Sequence, residues 1–164
     1  MNLDKSDRAI LHALEADGRL SYAELAERVG LSKTPCWNRV RELEKSKVIT
    51  AYRAEIDPLQ LGLELHAYVQ VTLDGRLHGE FEAAVQRHAA ILECHATTGQ
   101  GDYLLHVLVS GIAALDGFLR SVLSRMPGVQ RLHTTVATKT IKRRGAVMEC
   151  RQQIAAFSDD GTVF

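Results

Sequence analysis

The chain has 164 residues, 46% of them hydrophobic, and its 20 Lys and Arg residues balance 20 Asp and Glu residues. That apolar content supports a packed core and excludes a disordered chain, and the length allows one medium domain or two small ones. The neutral net charge gives no global sign of nucleic-acid binding. No apolar run approaches the roughly 18 residues of a membrane span. Three cysteines without paired spacing and no signal peptide predict a reduced, cytoplasmic protein.

Two short helices are predicted at the start of the chain. The first runs over about residues 4–15, where Asp4 is a natural N-cap. The second runs over residues 22–29, because Ser21 and Glu24 have the spacing of a capping box. Both carry an apolar stripe at helical spacing, so both are expected to pack on a shared core.

A third helix follows, capped by Ser32 or Thr34, with Pro35 in its first turn. Its core seam is made of residues spaced four and three apart, and the opposite face is polar and basic. The seam residues are Cys36, Val40 and Leu43, and the residues of the opposite face are Thr34, Asn38, Arg41 and Lys45. An exposed basic helix that follows two other short helices is typical of a helix-turn-helix unit.

Basic residues are concentrated around this third helix. Residues 28–53 hold seven Lys and Arg against two Glu, a local excess of five positive charges that suits a DNA-contacting surface. We expect Asn38 to read adenine and Arg41 to read guanine, while Arg39 and Lys45 contact phosphate. The alternative for Arg41 is an ion pair with Glu42 or Glu44. The predicted DNA-contacting residues are Ser32, Lys33, Thr34, Pro35, Asn38, Arg39, Arg41 and Lys45.

The segment after the third helix resembles a wing. Val48–Ile56 is rich in β-branched residues and predicts a short hairpin or strand, against which Trp37 is expected to pack. Residues 57–62 contain Pro and Gly and predict a linker. The expected organisation is therefore a winged helix-turn-helix domain over residues 1–56, this linker, a second domain over 63–142 and a tail over 143–164.

The second domain predicts the order strand, helix, strand, strand, helix, strand, which is the ferredoxin-like plan of an α+β domain. Alternating apolar residues indicate a strand over residues 63–73, and helical spacing follows around Phe81. Two further strands are expected over about 92–98 and 103–109. The predicted elements end with a helix over 115–126, a strand over 129–141, and a tail that is either a short helix or an arm on a partner subunit.

The loop between the two middle strands is the candidate ligand site. Gly99 and Gly101 allow consecutive N–H groups to point at a carboxylate, and the Asp102 carboxylate can hold an ammonium group. A free amino acid offers both groups, and the alternative is an ordinary hairpin turn. Hydroxyls of the last strand are expected to add contacts. The candidate effector-binding residues are Gly99, Gln100, Gly101, Asp102, Tyr103, Thr134, Thr135 and Val136.

Four histidines fall one on each predicted strand. No short metal-ligand spacing links them, so we expect no metal and instead place them on the dimer-facing side of the sheet. A basic cluster ends the last strand and is expected to be a solvated surface. The histidines are His66, His95, His106 and His133, and the cluster is Lys139, Lys142, Arg143 and Arg144.

Several short segments between about residue 2 and residue 142 resemble, by their order and spacing, the leucine-responsive/asparagine-regulator (Lrp/AsnC) family of transcription regulators. The carrying segments are Leu3-Asp4 with Asp7-Arg8-Ala9-Ile10-Leu11, Leu25-Ala26-Glu27-Arg28-Val29-Gly30-Leu31-Ser32, Thr34-Pro35-Cys36 with Arg39-Val40 and Leu43-Glu44, Asp102-Tyr103-Leu104-Leu105, and Met126-Pro127-Gly128-Val129. The resemblance leaves only the tail uncovered.

The resemblance implies a sequence-specific DNA-binding regulator that forms homodimers by sheet-on-sheet packing and assembles to octamers. It also implies an amino-acid effector, bound at a cleft between dimers, and no cofactor. The family usually carries an aromatic or other larger residue where this chain has Gly101, so the ligand is not transferable from relatives. The alternatives are an architectural DNA-binding protein without effector control and a small ferredoxin-like enzyme or regulatory subunit. No nucleophile–base set favours the enzyme.

Overall fold

The computed structural model describes residues 3–143 and 145–159, and it divides the chain into two units. One unit holds the residues up to Glu55 and those from Lys142 on, and the other spans Ile56–Ile141. Within the described ranges, no helix is long and apolar enough to cross a bilayer.

The first helix of the chain, α1, spans Lys5–Ala16 and starts at a reciprocal side-chain cap. The Asp7 N–H donates to the Asp4 carboxylate at 2.8 Å, and the Asp4 N–H donates to the Asp7 carboxylate at 3.1 Å. Two donors that the helix cannot satisfy internally are thereby paired. Ile10 and Ala13 lie on the buried face, so the predicted start and core stripe of this helix are confirmed.

The second helix, α2, spans Tyr22–Val29, as predicted from its capping box. The Glu24 N–H donates to the Ser21 hydroxyl at 3.3 Å, and the Ser21 N–H donates to the Glu24 carboxylate at 2.8 Å. Gly30 ends the helix with a φ of 69°, a left-handed conformation that glycine adopts without steric cost.

The third helix, α3, spans Lys33–Lys45 and is preceded by Ser32 as N-cap residue, although the Ser32 hydroxyl makes no capping hydrogen bond. Pro35 lies in the first turn, where its missing N–H costs nothing. The predicted seam is confirmed, because its residues are at most 1% exposed and join the core formed with α1 and α2. The seam residues are Cys36, Val40 and Leu43.

The predicted wing is wrong. Residues 50–57 form no strand, and α3 is terminated by Lys47, which has a φ of 60°. The segment after α3 is held by a side-chain hydrogen bond instead of strand pairing, because the Tyr52 hydroxyl donates to the Glu44 carboxylate at 3.0 Å. Partial burial and the adjacent Glu44 charge raise the pKa of Tyr52 to about 12. A β-branched run forms a strand only where a second strand pairs with it, and the first unit offers none in its described part.

The second unit has the predicted order of four strands and two principal helices. A 3-10 turn over Pro58–Leu61 precedes them, within the segment predicted as a linker. The strands and helices are β1 (Leu65–Leu73), α4 (His78–Val85), β2 (Ile91–Ala96), β3 (Tyr103–Val109), α5 (Ile112–Ser121) and β4 (Val129–Val136).

The four strands form one antiparallel sheet in the order β2-β3-β1-β4, which confirms the ferredoxin-like plan. Alternate residues of β1 and β3 point towards α4 and α5 and make the core. Phe81 of α4 and Leu123 are fully buried against this face. The core residues of the two central strands are Ala67, Val69, Val71 and Leu73 on β1 and Tyr103, Leu105, Val107 and Val109 on β3.

The other set of alternating residues points away from α4 and α5. Side chains of directly paired residues lie on the same side of a sheet, so the strand register identifies this set. We call it the open face. It comprises His66, Tyr68, Gln70 and Thr72 on β1, Leu104, His106 and Leu108 on β3, Glu93 and His95 on β2, and Arg131, His133 and Thr135 on β4.

Several element boundaries differ from prediction, among them the outer ends of the two paired strands β1 and β4. The strand β1 starts at Leu65 instead of residue 63, and β4 ends at Val136 instead of residue 141. The two differences have one cause, because these ends of β1 and β4 pair with each other. The Ala137 N–H donates to the His66 carbonyl at 2.9 Å, and β1 has only Leu65 before His66, so β4 has no further residues to pair with. The last predicted helix divides into α5 and a 3-10 turn over Leu123–Arg125.

The tail forms a helix, α6, over Val147–Asp159. It contacts α1 of the same chain, and of the two alternatives for the tail the helix is the one that this chain forms. The Glu15 carboxylate accepts hydrogen bonds from the N–H groups of Val147 at 2.6 Å and Met148 at 3.0 Å, and Met148 is buried. Arg144 and residues 160–164 of the predicted tail lie outside the described residues.

Replacing Glu15 with alanine should loosen the start of α6. A carboxylate that accepts two N–H groups at a helix N-terminus acts as a cap, and losing a cap costs about 1 kcal/mol. We expect hydrogen exchange at the amides of Val147 and Met148 to become roughly fivefold faster. His12→Ala changes an exposed residue of the same helix and should leave these two rates unchanged. Equal rates in Glu15→Ala and the parent protein would contradict the cap.

Candidate DNA-binding and ligand-binding sites

The exposed face of α3 presents most of the residues predicted to contact DNA. The helix is held from behind by its buried seam, so these side chains project from a rigid support. The predicted residues that are exposed are Ser32, Lys33, Thr34, Pro35, Asn38, Arg41 and Lys45.

Arg39 has a different partner from the one expected. Its Nη1 atom lies 2.7 Å from Asp4 Oδ2 and 2.7 Å from Asp7 Oδ1, so the guanidinium joins α3 to the capped start of α1. The Asp7 N–H and the Arg39 guanidinium lower the pKa of Asp4, and the two carboxylates raise the pKa of Arg39. Because Asp7 is 8% exposed, this ion pair belongs to the packing of the first unit. The Nη1 atom of Arg39 is thus engaged within the first unit, and its contact with phosphate stays a prediction.

Arg41 lies against Trp37, one helical turn away. The guanidinium carbon is 4.8 Å from the centre of the Trp37 ring, and the ring is 39% exposed. The expectation that Trp37 packs against a wing is wrong, since the segment after α3 forms no strand. The alternative of an ion pair between Arg41 and a neighbouring glutamate is not realised either. Glu44 accepts from Tyr52, and Glu42 lies 3.9 Å from Lys45.

The predicted ligand loop is held tightly onto β1. The Thr97 hydroxyl donates to the Gly101 carbonyl at 2.8 Å, and the Asp102 N–H donates to the Val71 carbonyl at 2.9 Å. Gly99 has a φ of 124°, a backbone conformation that disfavours any side chain. The loop is therefore a defined turn whose Gly99 and Gln100 remain exposed.

Asp102 has a structural partner. Its Oδ2 atom accepts a hydrogen bond from the Leu73 N–H at 2.7 Å, at the position where the register between β1 and β4 shifts. A backbone N–H released from the ladder at such a bulge needs another acceptor, and this carboxylate supplies it. The predicted ammonium contact of Asp102 thus competes with a hydrogen bond that the fold already uses.

The backbone at Gly101 approaches β1 closely. A Cβ atom placed there would lie 3.3 Å from the Val71 carbonyl oxygen and 3.4 Å from the Gln70 Cβ. The contact with the carbonyl oxygen is tighter than ordinary van der Waals contact, so a side chain at this position needs its surroundings to move by a few tenths of an ångström. Glycine at this position thus fits the close approach of the loop to β1.

Tyr103 points to the opposite side from the open face. It is 4% exposed, its hydroxyl donates to the Glu82 carboxylate at 2.6 Å, and His78 Nδ1 lies 3.0 Å from the same oxygen. The hydrogen bond to Glu82 is the main cause that raises the pKa of Tyr103 to about 12. The Tyr103 side chain therefore belongs to the packing of α4 on the sheet. Sequence analysis missed both partners, which lie 21 and 25 positions away.

The hydroxyl-bearing segment of β4 does not meet the loop within one chain. Thr134 pairs with Val69, whereas the loop joins β1 at Val71 and Leu73. Thr135 and Val136 lie still further along, and each step along a strand is about 3.3 Å. One chain alone therefore keeps the two halves of the predicted ligand site apart.

The predicted histidines all lie on the open face, where two of them are in contact. His66 Nδ1 lies 2.9 Å from His106 Nε2, and the Tyr68 ring stacks on His106 with centroids 4.8 Å apart. His95 lies 3.5 Å from Glu93 at the edge of the sheet. Among residues 3–143 and 145–159, no group of three or more His, Cys, Asp or Glu side chains is arranged to hold a metal ion.

The stability of this unit should fall in mild acid because of His106. Burial and the neighbouring His66 lower its pKa from the ordinary 6.5, with Glu93 acting in the opposite direction. The folded protein therefore binds fewer protons than the unfolded chain, and the free energy of unfolding decreases as pH falls through the unfolded value of 6.5. Urea unfolding from about pH 7.5 to 5 should show a smaller decrease in His106→Gln than in the parent protein.

The control for that measurement is Gln70→Ala, which changes a neutral side chain of the same face. Its pH dependence should follow that of the parent protein. A His106→Gln variant with the parent's pH dependence would contradict the assignment.

A three-helix unit with an exposed basic third helix, joined to a ferredoxin-like unit, defines a DNA-binding regulator with a separate ligand-binding domain. Comparison with known proteins supports this assignment of a DNA-binding unit and a ligand-binding unit. Residues 3–44 match the AsnC-type helix-turn-helix domain, and residues 66–147 match the Lrp/AsnC ligand binding domain. The chain belongs to the Lrp/AsnC family, whose members are transcription regulators that bind DNA and amino-acid effectors.

Its relatives are similar over nearly their whole length. The leucine-responsive regulatory proteins of Salmonella typhimurium and of Escherichia coli K12 are each 41% identical over 145 residues, which is 87% of this chain and 88% of theirs. A transcriptional regulator from Neisseria meningitidis, solved in complex with L-methionine, superposes with a TM-score of 0.86 at 34% identity, covering 89% of this chain and 96% of that one. AsnC of E. coli superposes with a TM-score of 0.83 at 26% identity, covering 88% and 98%.

Proposed function

We propose that α3 enters the major groove and that Asn38 and Arg41 contact base edges there. The main support for this proposal is the row of exposed polar and basic side chains on a helix whose other face is fully buried. Asparagine matches the N6 and N7 edge of adenine, and arginine matches the O6 and N7 edge of guanine. Lys45, at the end of the helix, contacts phosphate, as do the groups around the helix start: Ser32, Lys33, Thr34 and Pro35.

The proposed effector is a free amino acid bound at the loop of residues 99–102. Gly99 and Gln100 are exposed, and successive N–H groups of a glycine-containing turn suit a carboxylate. Because Thr134 and Thr135 lie away from the loop of their own chain, we propose that a neighbouring copy supplies these hydroxyls, with Val136 beside them. Leucine and methionine are the first candidates, since they are named with the relatives.

The proposed assembly is a homodimer through the open face, which associates further to an octamer. This face is opposite the helices and carries Tyr68, 41% exposed, beside the contacting histidines. Sheet-on-sheet packing buries such a surface about 10 Å from its partner. The protein would act in the cytoplasm, where its DNA lies, as a regulator without catalytic chemistry. Sedimentation of the purified chain as a monomer at micromolar concentration would contradict this assembly.

Thermal unfolding in the presence of each amino acid tests the effector proposal. A ligand that binds only the folded state adds about 2.7 kcal/mol of stability at a hundredfold excess over Kd. We expect at least one amino acid to raise the Tm of the parent protein. The combined variant Thr134→Val, Thr135→Val keeps the side-chain shape and should lose most of that increase. Thr138→Val, beyond the end of β4, is the matched control. An equal increase in all three proteins would exclude the β4 hydroxyls from the site.

A further inference from the structure

Trp37 and Arg41 form a pair on the surface that we assign to DNA. They lie four positions apart on α3, so their side chains project from the same side of the helix. The guanidinium carbon is 4.8 Å from the ring centre, within the range of a cation–π contact. Asn38, Glu42 and Lys45 complete the shallow cavity of about 500 Å³ around them.

The contact fixes Arg41 while leaving its donors available. Stacking uses the flat side of the guanidinium, whereas the N–H groups project in its plane. Among the described residues, Arg41 makes no hydrogen bond or ion pair, in contrast to Arg39, whose Nη1 is shared by two carboxylates. The glutamate that could compete, Glu44, accepts from the Tyr52 hydroxyl.

Trp37 has no comparable packing role. It is 39% exposed and lies outside the buried core of the first unit, whose members come from the three helix seams. Its observed partner is Arg41, which is exposed, whereas Arg39, the other arginine of α3, is half-buried.

We propose that Trp37 is a positioning residue that determines specificity, because it holds the Arg41 guanidinium ready to read a guanine. The inference rests on the proposed placement of α3 in the major groove. Guanine presents the O6 and N7 acceptors that a planar arginine fork contacts with two parallel hydrogen bonds. Stacking on Trp37 restricts the rotamers of Arg41 before DNA binds, so less freedom is lost on binding.

The test uses guanine lacking its N7 acceptor. A duplex selected by the parent protein from a random pool is remade with 7-deazaguanine at each guanine in turn, and binding is measured by fluorescence anisotropy. The parent should lose about tenfold in affinity at one guanine, which corresponds to one good base contact. In Trp37→Leu we expect that loss to shrink to about twofold, and in Trp37→Phe to remain largely intact, since a ring still supports stacking.

Lys45→Ala is the matched control on the same helix. Removing a phosphate contact should weaken binding to every duplex alike and leave the 7-deazaguanine loss at about tenfold. If Trp37→Leu keeps the full tenfold loss while the parent shows it, the inference is overturned and the proposed function stands. If no guanine N7 affects the parent, both the inference and the assignment of Arg41 to guanine are overturned.

A second readout needs no DNA. Trp37 is the only tryptophan of the chain, so its fluorescence reports on this pair alone. Replacing Arg41 with methionine removes the cation over the ring and should change the emission intensity or wavelength of the free protein. Lys5→Met, which removes an exposed cation of α1 and leaves the Trp37–Arg41 contact in place, should not. Identical spectra for Arg41→Met and the parent protein would overturn the proposal.

Discussion

Replacing Arg41 with alanine should lower the affinity for the selected DNA site by about 10- to 100-fold. A bidentate arginine–guanine contact contributes about 1–3 kcal/mol of discrimination, and each 1.4 kcal/mol corresponds to a factor of ten. Folding should not change, because Arg41 is exposed and stacks only on the half-exposed Trp37. The measurement is fluorescence anisotropy on the selected duplex and on a scrambled duplex at one fixed salt concentration.

Comparison with the scrambled duplex separates base-specific binding from sequence-independent binding to phosphate. Arg41→Ala should reduce the difference between the two duplexes, because the lost contact is specific to one base. Lys45→Ala should weaken both by a similar factor and lower the dependence on salt by about one ion. A parallel decrease on both duplexes for Arg41→Ala would show that this side chain contacts phosphate and does not read a base.

The second large effect is expected from Asp7→Ala, which should destabilise the first unit by about 1–2 kcal/mol, the cost of losing a helix cap. Asp7 is 8% exposed, accepts the Asp4 N–H at the start of α1 and accepts a 2.7 Å hydrogen bond from Arg39. Its loss leaves the arginine without its buried partner and opens the helix cap at once. A unit of this size has little stability in reserve, so much of it should unfold near 37 °C.

Urea unfolding followed by far-ultraviolet circular dichroism measures this loss. Glu42→Ala is the matched control, because it removes an exposed carboxylate of α3 whose only ion-pair partner among the described residues is Lys45 at 3.9 Å. Its stability should stay within about 0.5 kcal/mol of the parent protein. A comparably small change in Asp7→Ala would mean that the ion pair with Arg39 does not hold α1 and α3 together.

Local patterns predicted the helices well, because their causes lie within a few residues. The caps at Asp4 and Ser21 depend on partners three positions away, and the buried seam of α3 depends on spacings of three and four. The alternation along β1 likewise predicts which residues face the core. These features require no knowledge of the rest of the chain.

The individual role of each charged residue was not predictable in the same way. Arg39 and Arg41 are two positions apart and look alike in sequence, but the partners of Arg39 lie 32 and 35 positions away in α1. Asp102 accepts a hydrogen bond from the N–H of Leu73, which lies 29 positions away in sequence, at a bulge that no local pattern reveals. The predicted wing was wrong because a β-branched run forms a strand only beside a partner strand, which local sequence does not reveal. Tyr52 of this run instead donates a hydrogen bond to Glu44 of α3.

The most direct test of the central claim, that this chain couples an amino acid to DNA binding, is a titration of the selected duplex with the purified full-length protein. Fluorescence anisotropy is recorded without effector and with saturating leucine, methionine or each other amino acid in turn. We predict specific binding whose midpoint or steepness shifts severalfold with at least one amino acid. Binding to all duplexes alike, unchanged by every amino acid, would contradict the account and define an architectural DNA-binding protein instead.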